Sequence, residues 1–120
     1  MTVFHRTTVT ALFALLSLQG CREAGAIQNV NVSMKNTANY QYSTVGGDED
    51  GARVSMQAKH FSLSEIRRDT ATAFVATYVY QPAPGFVGSD YAEVEVLTGS
   101  DGASQPNNIK TIAFHFVVHD

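Results

Sequence analysis

Apolar and polar residues alternate along most of the chain from residue 29 onward, which is the pattern of β-strands that bury one face. The positions predicted to face the core in the first three strands are Val30, Val32, Met34, Tyr40, Tyr42, Val54, Met56 and Ala58. Turn-forming residues at 36–39 and a Gly- and Asp-rich stretch at 45–51 separate these strands. The alternation therefore predicts three short strands in the first half of the chain.

The second half is richer in β-branched and aromatic residues, and it predicts longer strands at residues 72–80, 91–97 and 110–118. Their predicted core positions are Phe74, Ala76, Tyr78, Tyr80, Ala92, Val94, Val96, Ile112, Phe114, Phe116 and Val118. Residues 61–69 fit either a fourth short strand that runs into a turn, which we prefer, or a serine-capped helical turn. Six or seven strands without a convincing amphipathic helix indicate an all-β sandwich.

Size and charge limit what this sandwich can be. With 120 residues, of which 44% are hydrophobic, the chain is long enough for one packed domain. Without residues 1–20, seven Lys and Arg face eleven Asp and Glu, a formal charge of about −4. Nucleic acid is therefore not expected as a partner, because binding to phosphates needs a basic surface.

The N-terminus has the pattern of a targeting segment. Arg6 precedes an apolar run at residues 9–18, and ten helical residues rise only ~15 Å, half of the ~30 Å hydrocarbon core of a bilayer. Such a run fits the central region of a signal peptide. We assign residues 1–20 to a lipoprotein-type signal peptide, residues 21–28 to a tether, and residues 29–120 to the sandwich domain.

The end of the apolar run, Leu18-Gln19-Gly20-Cys21, resembles the lipobox of bacterial lipoproteins. The resemblance implies cleavage before Cys21 and a diacylglyceryl thioether on its sulfur, which would account for the single cysteine of the chain. The alternative is an ordinary signal peptide that is cut after Ala26, which would discard Cys21. Arg22 stands where an Asp retains enterobacterial lipoproteins in the inner membrane, so the expected location is the periplasm or cell surface, with the outer membrane favoured.

Residues 78–96 resemble the most diagnostic segment of bacterial Ig-like and cadherin-like modules, which carry Tyr-x-Pro, a turn, Phe-x-Gly-x-Asp and an alternating strand. The matching positions are Tyr80, Pro82, Gly85, Phe86, Gly88 and Asp90. The resemblance implies an immunoglobulin-like sandwich of about seven antiparallel strands. It covers roughly residues 70–118, and the polar loop at residues 98–108 is longer than the hairpin of the family.

Each matching residue has a structural role. Pro82 ends a strand, the glycines permit turns, and Phe86 can close the sandwich where the chain crosses between sheets. Asp90 can accept backbone N–H groups at the following corner. The strand after Asp90 has Ala92 and Val94 where the family has large aromatic residues, so we expect Phe114 and Phe116 to fill the core there.

Acidic residues and histidines are the candidate metal ligands of this chain. Asp48, Glu49 and Asp50 resemble acidic turns that bind Ca²⁺, but three adjacent acids cannot supply six to eight ligands, and a solvated turn is the favoured interpretation. His60, His115 and His119 could indicate a copper or zinc site, but His115 and His119 lie about 13 Å apart along one strand, too far for one ion. We therefore expect no cofactor besides the lipid on Cys21.

No catalytic motif is present: the sequence has no Gly-x-Ser-x-Gly, no second cysteine and no phosphate-binding glycine loop. We expect a non-enzymatic, membrane-anchored module of the bacterial envelope that binds or scaffolds another envelope protein through a sheet edge or the 98–108 loop. One alternative is an accessory structural subunit of a larger membrane or envelope complex. A further alternative is a carbohydrate- or metal-binding periplasmic sandwich.

Overall fold

The computed structural model describes residues 27–44, 51–98 and 108–120, which form seven β-strands and one turn of 3-10 helix at Thr70–Thr72. The strands are β1 (Ile27–Lys35), β2 (Tyr40–Ser43), β3 (Gly51–Met56), β4 (Phe61–Arg67), β5 (Thr77–Pro82), β6 (Gly88–Thr98) and β7 (Asn108–His119). The predicted all-β fold is therefore confirmed. Cys21, Asp48, Glu49 and Asp50 lie outside the described residues.

The strands form two sheets that pack as a sandwich. One has the strand order β1-β7-β6-β3 and the other the order β2-β5-β4. Within the larger sheet, the first described strand lies beside the last. The expectation that all strands are antiparallel is wrong for β1, which pairs with β7 in parallel. Alternation has a period of two in either direction, so it cannot reveal the direction of pairing.

Aromatic side chains from both sheets meet in the core. Tyr78 and Tyr80 of β5 stack on Phe114 and Phe116 of β7, with ring centroids 4.8 Å and 3.8 Å apart respectively. All four side chains are fully buried. Phe114 stands opposite a small residue in register, because it pairs with Ala92 of β6. The prediction that Phe114 and Phe116 fill the core beside this strand is confirmed.

The prediction that Met56 fills the core is wrong. Val54 pairs with Val94 of β6, but the register then shifts at a β-bulge, and Met56 pairs with the outward residue Glu93. The extra residue places Met56 on the outer face, where its side chain is 49% exposed. Met34, the other methionine predicted inside, is buried.

The strand predicted at residues 72–80 begins only at Thr77, and Phe74 is exposed instead of buried. Asp69 caps the 3-10 turn: its side chain accepts the backbone N–H of Thr72, whose hydroxyl in turn accepts the N–H of Asp69. Ala73 and Phe74 follow with positive φ angles of 51° and 61°. These local hydrogen bonds outweigh the β-propensity of the segment.

The remaining boundaries lie close to those predicted. Residues 61–67 form strand β4 and not a helical turn. Strand β1 begins at Ile27, so the last two residues of the predicted tether belong to the sandwich. Within the described ranges, no helix is long and apolar enough to span a bilayer.

Phe116 and Val117 are neighbours on opposite faces of β7, which allows a direct test of the core. Replacing Phe116 by Ala removes a fully buried ring, and we expect a loss of about 3–5 kcal/mol in the free energy of unfolding. Val117→Ala, at a side chain that is 56% exposed, should cost less than about 1 kcal/mol. Urea unfolding followed by circular dichroism measures both, and equal losses would contradict this assignment of faces.

Candidate functional site: the crossover groove

Two of the connections between the sheets lie next to each other at one end of the sandwich. Residues 57–60 connect β3 to β4, and residues 83–87 connect β5 to β6. The backbone N–H of Ala83 donates to the carbonyl of His60 at 3.0 Å and joins the two crossovers. The sequence motif from Tyr80 to Asp90 therefore lies at a junction of both sheets.

Asp90, the last residue of the motif, holds this junction together. Its Oδ1 accepts the backbone N–H groups of Lys59 and Tyr91, each at 2.9 Å. Its Oδ2 accepts the backbone N–H of His60 and the hydroxyl of Tyr80, also at 2.9 Å. The prediction that Asp90 accepts backbone N–H groups is confirmed, although two of the three come from a segment thirty residues away.

The hydrogen bonds also set the ionisation of Asp90. Burial alone would raise the pKa of this carboxyl group, which is only 7% exposed. The hydrogen bonds from Lys59, His60, Tyr80 and Tyr91 outweigh burial and hold the pKa of Asp90 below its ordinary value. The same arrangement raises the pKa of Tyr80 through burial and its bond to the carboxylate. Asp90 is therefore a charged, fully engaged group at neutral pH.

Phe86 and two glycines shape the second crossover. The ring of His60 stacks on Phe86 at 4.4 Å with an interplanar angle of 7°, and Phe86 packs against the core below. Gly85 has φ +76°, and Gly88 has φ +143°. A side chain at Gly88 would also approach the Phe86 ring to 3.3 Å. Glycine at position 88 thus permits both the backbone turn and the close approach of Phe86.

A second polar network fixes the first crossover. The side-chain oxygen of Gln57 accepts the backbone N–H of Ala58 at 2.9 Å and the hydroxyl of Ser64 at 2.5 Å. The Ser64 hydroxyl lies 2.7 Å from the hydroxyl of Tyr78. Burial raises the pKa of Tyr78 to about 12, so this phenol stays protonated. The stacked tyrosines thus place both of their polar ends in hydrogen-bond networks at the crossovers.

Beside the junction, a groove of about 430 Å³ opens on the outer face of the β1-β7-β6-β3 sheet. We call it the crossover groove, and its lining residues are Met56, Gln57, Lys59, His60, Ser89, Asp90, Tyr91, His115, Phe116 and Val117. Two apolar side chains on its surface, Met56 and Val117, are each about half exposed, at 49% and 56%. The groove thus combines an exposed apolar surface with several polar groups.

Hydrogen bonds hold the polar side of the groove in place. The hydroxyl of Tyr91 donates to the carboxylate of Glu93, and this bond, with partial burial, raises the pKa of Tyr91. The Tyr91 ring packs edge-on against His115 at 4.9 Å. His115 Nε2 in turn lies 3.0 Å from the side-chain oxygen of Asn29 on β1. The aromatic wall is therefore positioned before any ligand arrives.

Sequence reasoning located the motif but missed the groove. The alternation predicts a core position for Met56, and the sequence suggests metal binding as the one role for His60 and His115. The structure brings these two histidines to one groove, while His119 does not line it. In the described part of the chain, no three His, Cys, Asp or Glu side chains are grouped as a metal site would require. The sequence signal that could have located the groove was the outward-facing pair Tyr91 and Glu93 on the predicted strand at residues 91–97.

Replacing Asp90 by Asn should destabilise the protein by about 2–3 kcal/mol at pH 7, because the amide cannot accept all four donors. The pKa of Asp90 is lowered by folding, so its contribution is complete above the unfolded-state value of about 3.9. It is lost as the pH falls through the lower folded-state pKa. Urea unfolding at several pH values should therefore show the two proteins converging below about pH 4.

The matched control for this measurement is Glu65→Gln. It removes the same charge from an exposed side chain on β4 whose partner is Arg67. We expect a change of less than about 1 kcal/mol at any pH, because exposed ion pairs contribute little. A difference between wild type and Asp90→Asn that does not shrink in acid would contradict the proposed electrostatic role of the carboxylate.

Comparisons with known proteins add little to this geometry. No family model and no curated protein sequence matches the chain. It is similar to part of a solved endo-fucoidan hydrolase of glycoside hydrolase family 107, with 14% identity and a TM-score of 0.46 over 79% of this chain and 13% of the hydrolase. It is also similar to a cysteine protease inhibitor from Entamoeba histolytica, with 11% identity and a TM-score of 0.40 over 80% of this chain and 98% of the inhibitor. At these values, neither protein's activity is transferred to this chain.

Proposed function

We propose that this protein is a non-enzymatic binding module of the bacterial envelope, anchored by a lipid on Cys21 and acting through protein–protein contact. The observation that carries the proposal is the crossover groove, a surface concavity with half-exposed Met56 and Val117 on a rigid sandwich. Exposed apolar side chains gathered in one concavity are typical of binding surfaces.

The charge of the groove favours a partner segment that carries a carboxylate beside an apolar side chain. Lys59 supplies a positive charge, and His60 is a further potential donor, whereas the Nε2 of His115 already faces the side-chain oxygen of Asn29. Asp90 is the carboxylate among the lining residues, and its oxygens are already occupied by four donors. The groove therefore presents donors to a ligand, although the whole chain is acidic.

The rigidity of the groove also supports a binding role. The Asp90 network fixes the backbone of Lys59 and His60, and the contact with Tyr91 fixes the His115 ring. A surface that is ordered before binding loses less conformational entropy when the partner docks. Such preorganisation lets a groove of this size contribute useful affinity.

The ionisation of two groove residues, Asp90 and Tyr91, supports a binding role for them rather than a catalytic one. A general acid or base works best when its pKa lies near the working pH. The pKa of Asp90 is lowered and that of Tyr91 is raised, so both move away from neutrality. Neither Asp90 nor Tyr91 is therefore tuned for proton transfer.

The anchor proposed for Cys21 is compatible with the position of β1. Cleavage before Cys21 would leave six residues ahead of Ile27, a tether that reaches roughly 20 Å when extended. Cleavage after Ala26 would instead begin the mature chain at the first residue of β1. Both routes leave the sandwich intact, and only the first keeps the module at the membrane, where tethering raises its local concentration.

Lipidation is tested by Cys21→Ser. We expect this variant to stay unprocessed and to lose the membrane-bound mature form, because the thioether has no sulfur on which to form. Intact mass spectrometry of the wild-type protein from membranes should give the chain from Cys21 with added diacylglycerol. A mature wild-type chain that begins at Ile27 would refute the anchor.

The groove is tested by Val117→Glu, which places a negative charge on its half-exposed apolar surface. After chemical cross-linking in native membranes, we expect the recovery of specific partners with the tagged protein to fall at least about tenfold, a loss of 1.4 kcal/mol or more in affinity. Quantitative mass spectrometry measures the recovery. Urea unfolding should show that the stability of the variant is nearly unchanged.

The matched control is Phe74→Glu, which makes a similar change at a side chain that is 62% exposed. Phe74 precedes β5, whereas the crossover groove lies near the opposite end of that strand. Partner recovery should stay at the wild-type level in this variant. If both variants recover partners as wild type does, the groove is not the binding surface. Stoichiometric co-migration with one large complex would favour the accessory-subunit alternative.

A further inference from the structure

In the described part of the chain, the two sheets are bordered by four edge strands, β1, β3, β2 and β4. Three of them carry features that oppose further strand pairing. Strand β3 is bulged, and its Arg53 pairs with Glu95. Strand β4 is also bulged and carries the charged pair Glu65 and Arg67. Strand β2 has only four residues. Bulges, charges and short length are the usual means by which proteins prevent edge-to-edge association.

Strand β1 has none of these features. It is nine residues long, and its register with β7 is continuous from Ile27 to Lys35. It contains no proline, and its first charged residue is Lys35 at the end. Among the described residues, β7 alone pairs with it, so its other side offers a regular row of backbone donors and acceptors.

The core beside β1 is also incompletely covered. Val30 and Val32 point inward but are only half-buried, whereas Ala92 and Val94 on the central strand β6 are fully buried. Tyr40 and Tyr42 of β2 are half-buried as well. A strand added to β1 would cover part of this apolar surface, so both hydrogen bonding and burial favour an additional strand there.

We propose that the occupant is β1 of a second copy of this chain, paired antiparallel about a twofold axis at Asn31. This register places Val30 opposite Val32 of the other copy and Asn29 opposite its Ser33. Asn31 then faces its own equivalent, and the inward apolar positions of both copies lie on the same face. The two four-stranded sheets become one continuous sheet.

The charge of β1 favours this direction of pairing. In the antiparallel register, Lys35 lies opposite Ile27 of the other copy, and the two lysines are eight residues apart along the strand. A parallel pairing in register would place the two Lys35 side chains next to each other, which is destabilising. A single added strand pair buries less than the ~1,200 Å² typical of stable interfaces, so the dimer is weak and reversible.

This inference goes beyond the proposed function and uses a different surface. Self-association requires the edge of β1, whereas partner capture requires the crossover groove. The two can therefore fail separately. If a β1 variant no longer dimerises but still captures partners, the result concerns the dimer alone. If Val117→Glu no longer captures partners but still dimerises, the result concerns the groove alone.

The register is tested with single cysteines in the full chain, purified in mild detergent and oxidised gently. In an antiparallel pair, facing Cα atoms are 4.5–5.5 Å apart, which suits a disulfide, so Asn31→Cys should form a covalent dimer. Asn29→Cys should give at least about tenfold less, because its two copies would lie about 14 Å apart. A mixture of Asn29→Cys and Ser33→Cys chains should cross-link efficiently. The parent protein, treated identically, reports any background from Cys21.

Reversible association is tested without cross-links by sedimentation equilibrium in density-matched detergent. The wild-type mass should rise towards that of a dimer with concentration, and Asn31→Lys should stay monomeric because two lysines would face each other. The matched control is Ser55→Lys, at an exposed position on β3, the opposite edge of the same sheet. It should dimerise as wild type does.

Three results would overturn the proposal. The first is a wild-type protein that stays monomeric at all concentrations. The second is equal cross-linking of Asn29→Cys and Asn31→Cys, which indicates random collision. The third is hydrogen exchange in which the β1 amides become protected only after membrane extract is added, which would assign the edge to a different partner.

Discussion

The buried carboxylate of Asp90 is the constraint on which the rest of the structure depends. A charge in this position is costly unless donors surround it, and its four donors come from three separate parts of the chain. Both crossovers must therefore be in place before the carboxylate is satisfied. Once it is, the backbone at Lys59 and His60 is fixed against the start of β6, and the relative position of the two sheets follows. A structural network of this kind also creates the wall of the crossover groove.

The aromatic core and the crossover networks form one unit. Tyr80 stacks on Phe116 while its hydroxyl reaches Asp90, and Tyr78 stacks on Phe114 while its hydroxyl reaches Ser64. Each tyrosine thus gives its ring to the hydrophobic core and its polar end to a crossover. Packing between the sheets and the shape of the groove are consequently coupled. The surfaces left for partners differ in kind: the groove offers side chains, whereas the edge of β1 offers backbone.

The sequence by itself determined the features that depend on neighbouring residues. Period-two alternation identified the strands and the inward faces of β6 and β7, including the burial of Phe114 and Phe116. The proline and glycine residues between Tyr80 and Asp90 predicted a turn, because they restrict or extend backbone angles wherever they stand. The resemblance to Ig-like modules implied that this turn lies between the sheets. The ability of Asp90 to accept backbone N–H groups was equally a local property of a short acidic side chain.

Only the tertiary structure decided which distant groups meet. Alternation assigned Met56 to the core, but a bulge in its pairing with β6 turned it outward and made it part of the groove. It also assigned Phe74 to a strand. Asp69 instead caps a 3-10 turn, so that strand β5 begins only at Thr77 and Phe74 is exposed. The sequence pattern also did not predict the parallel pairing of β1 or the hydrogen bond between Asp90 and Lys59. Direction, register and convergence are relations between segments far apart in the chain, and a local pattern of residue types is the same whatever partner lies beside it.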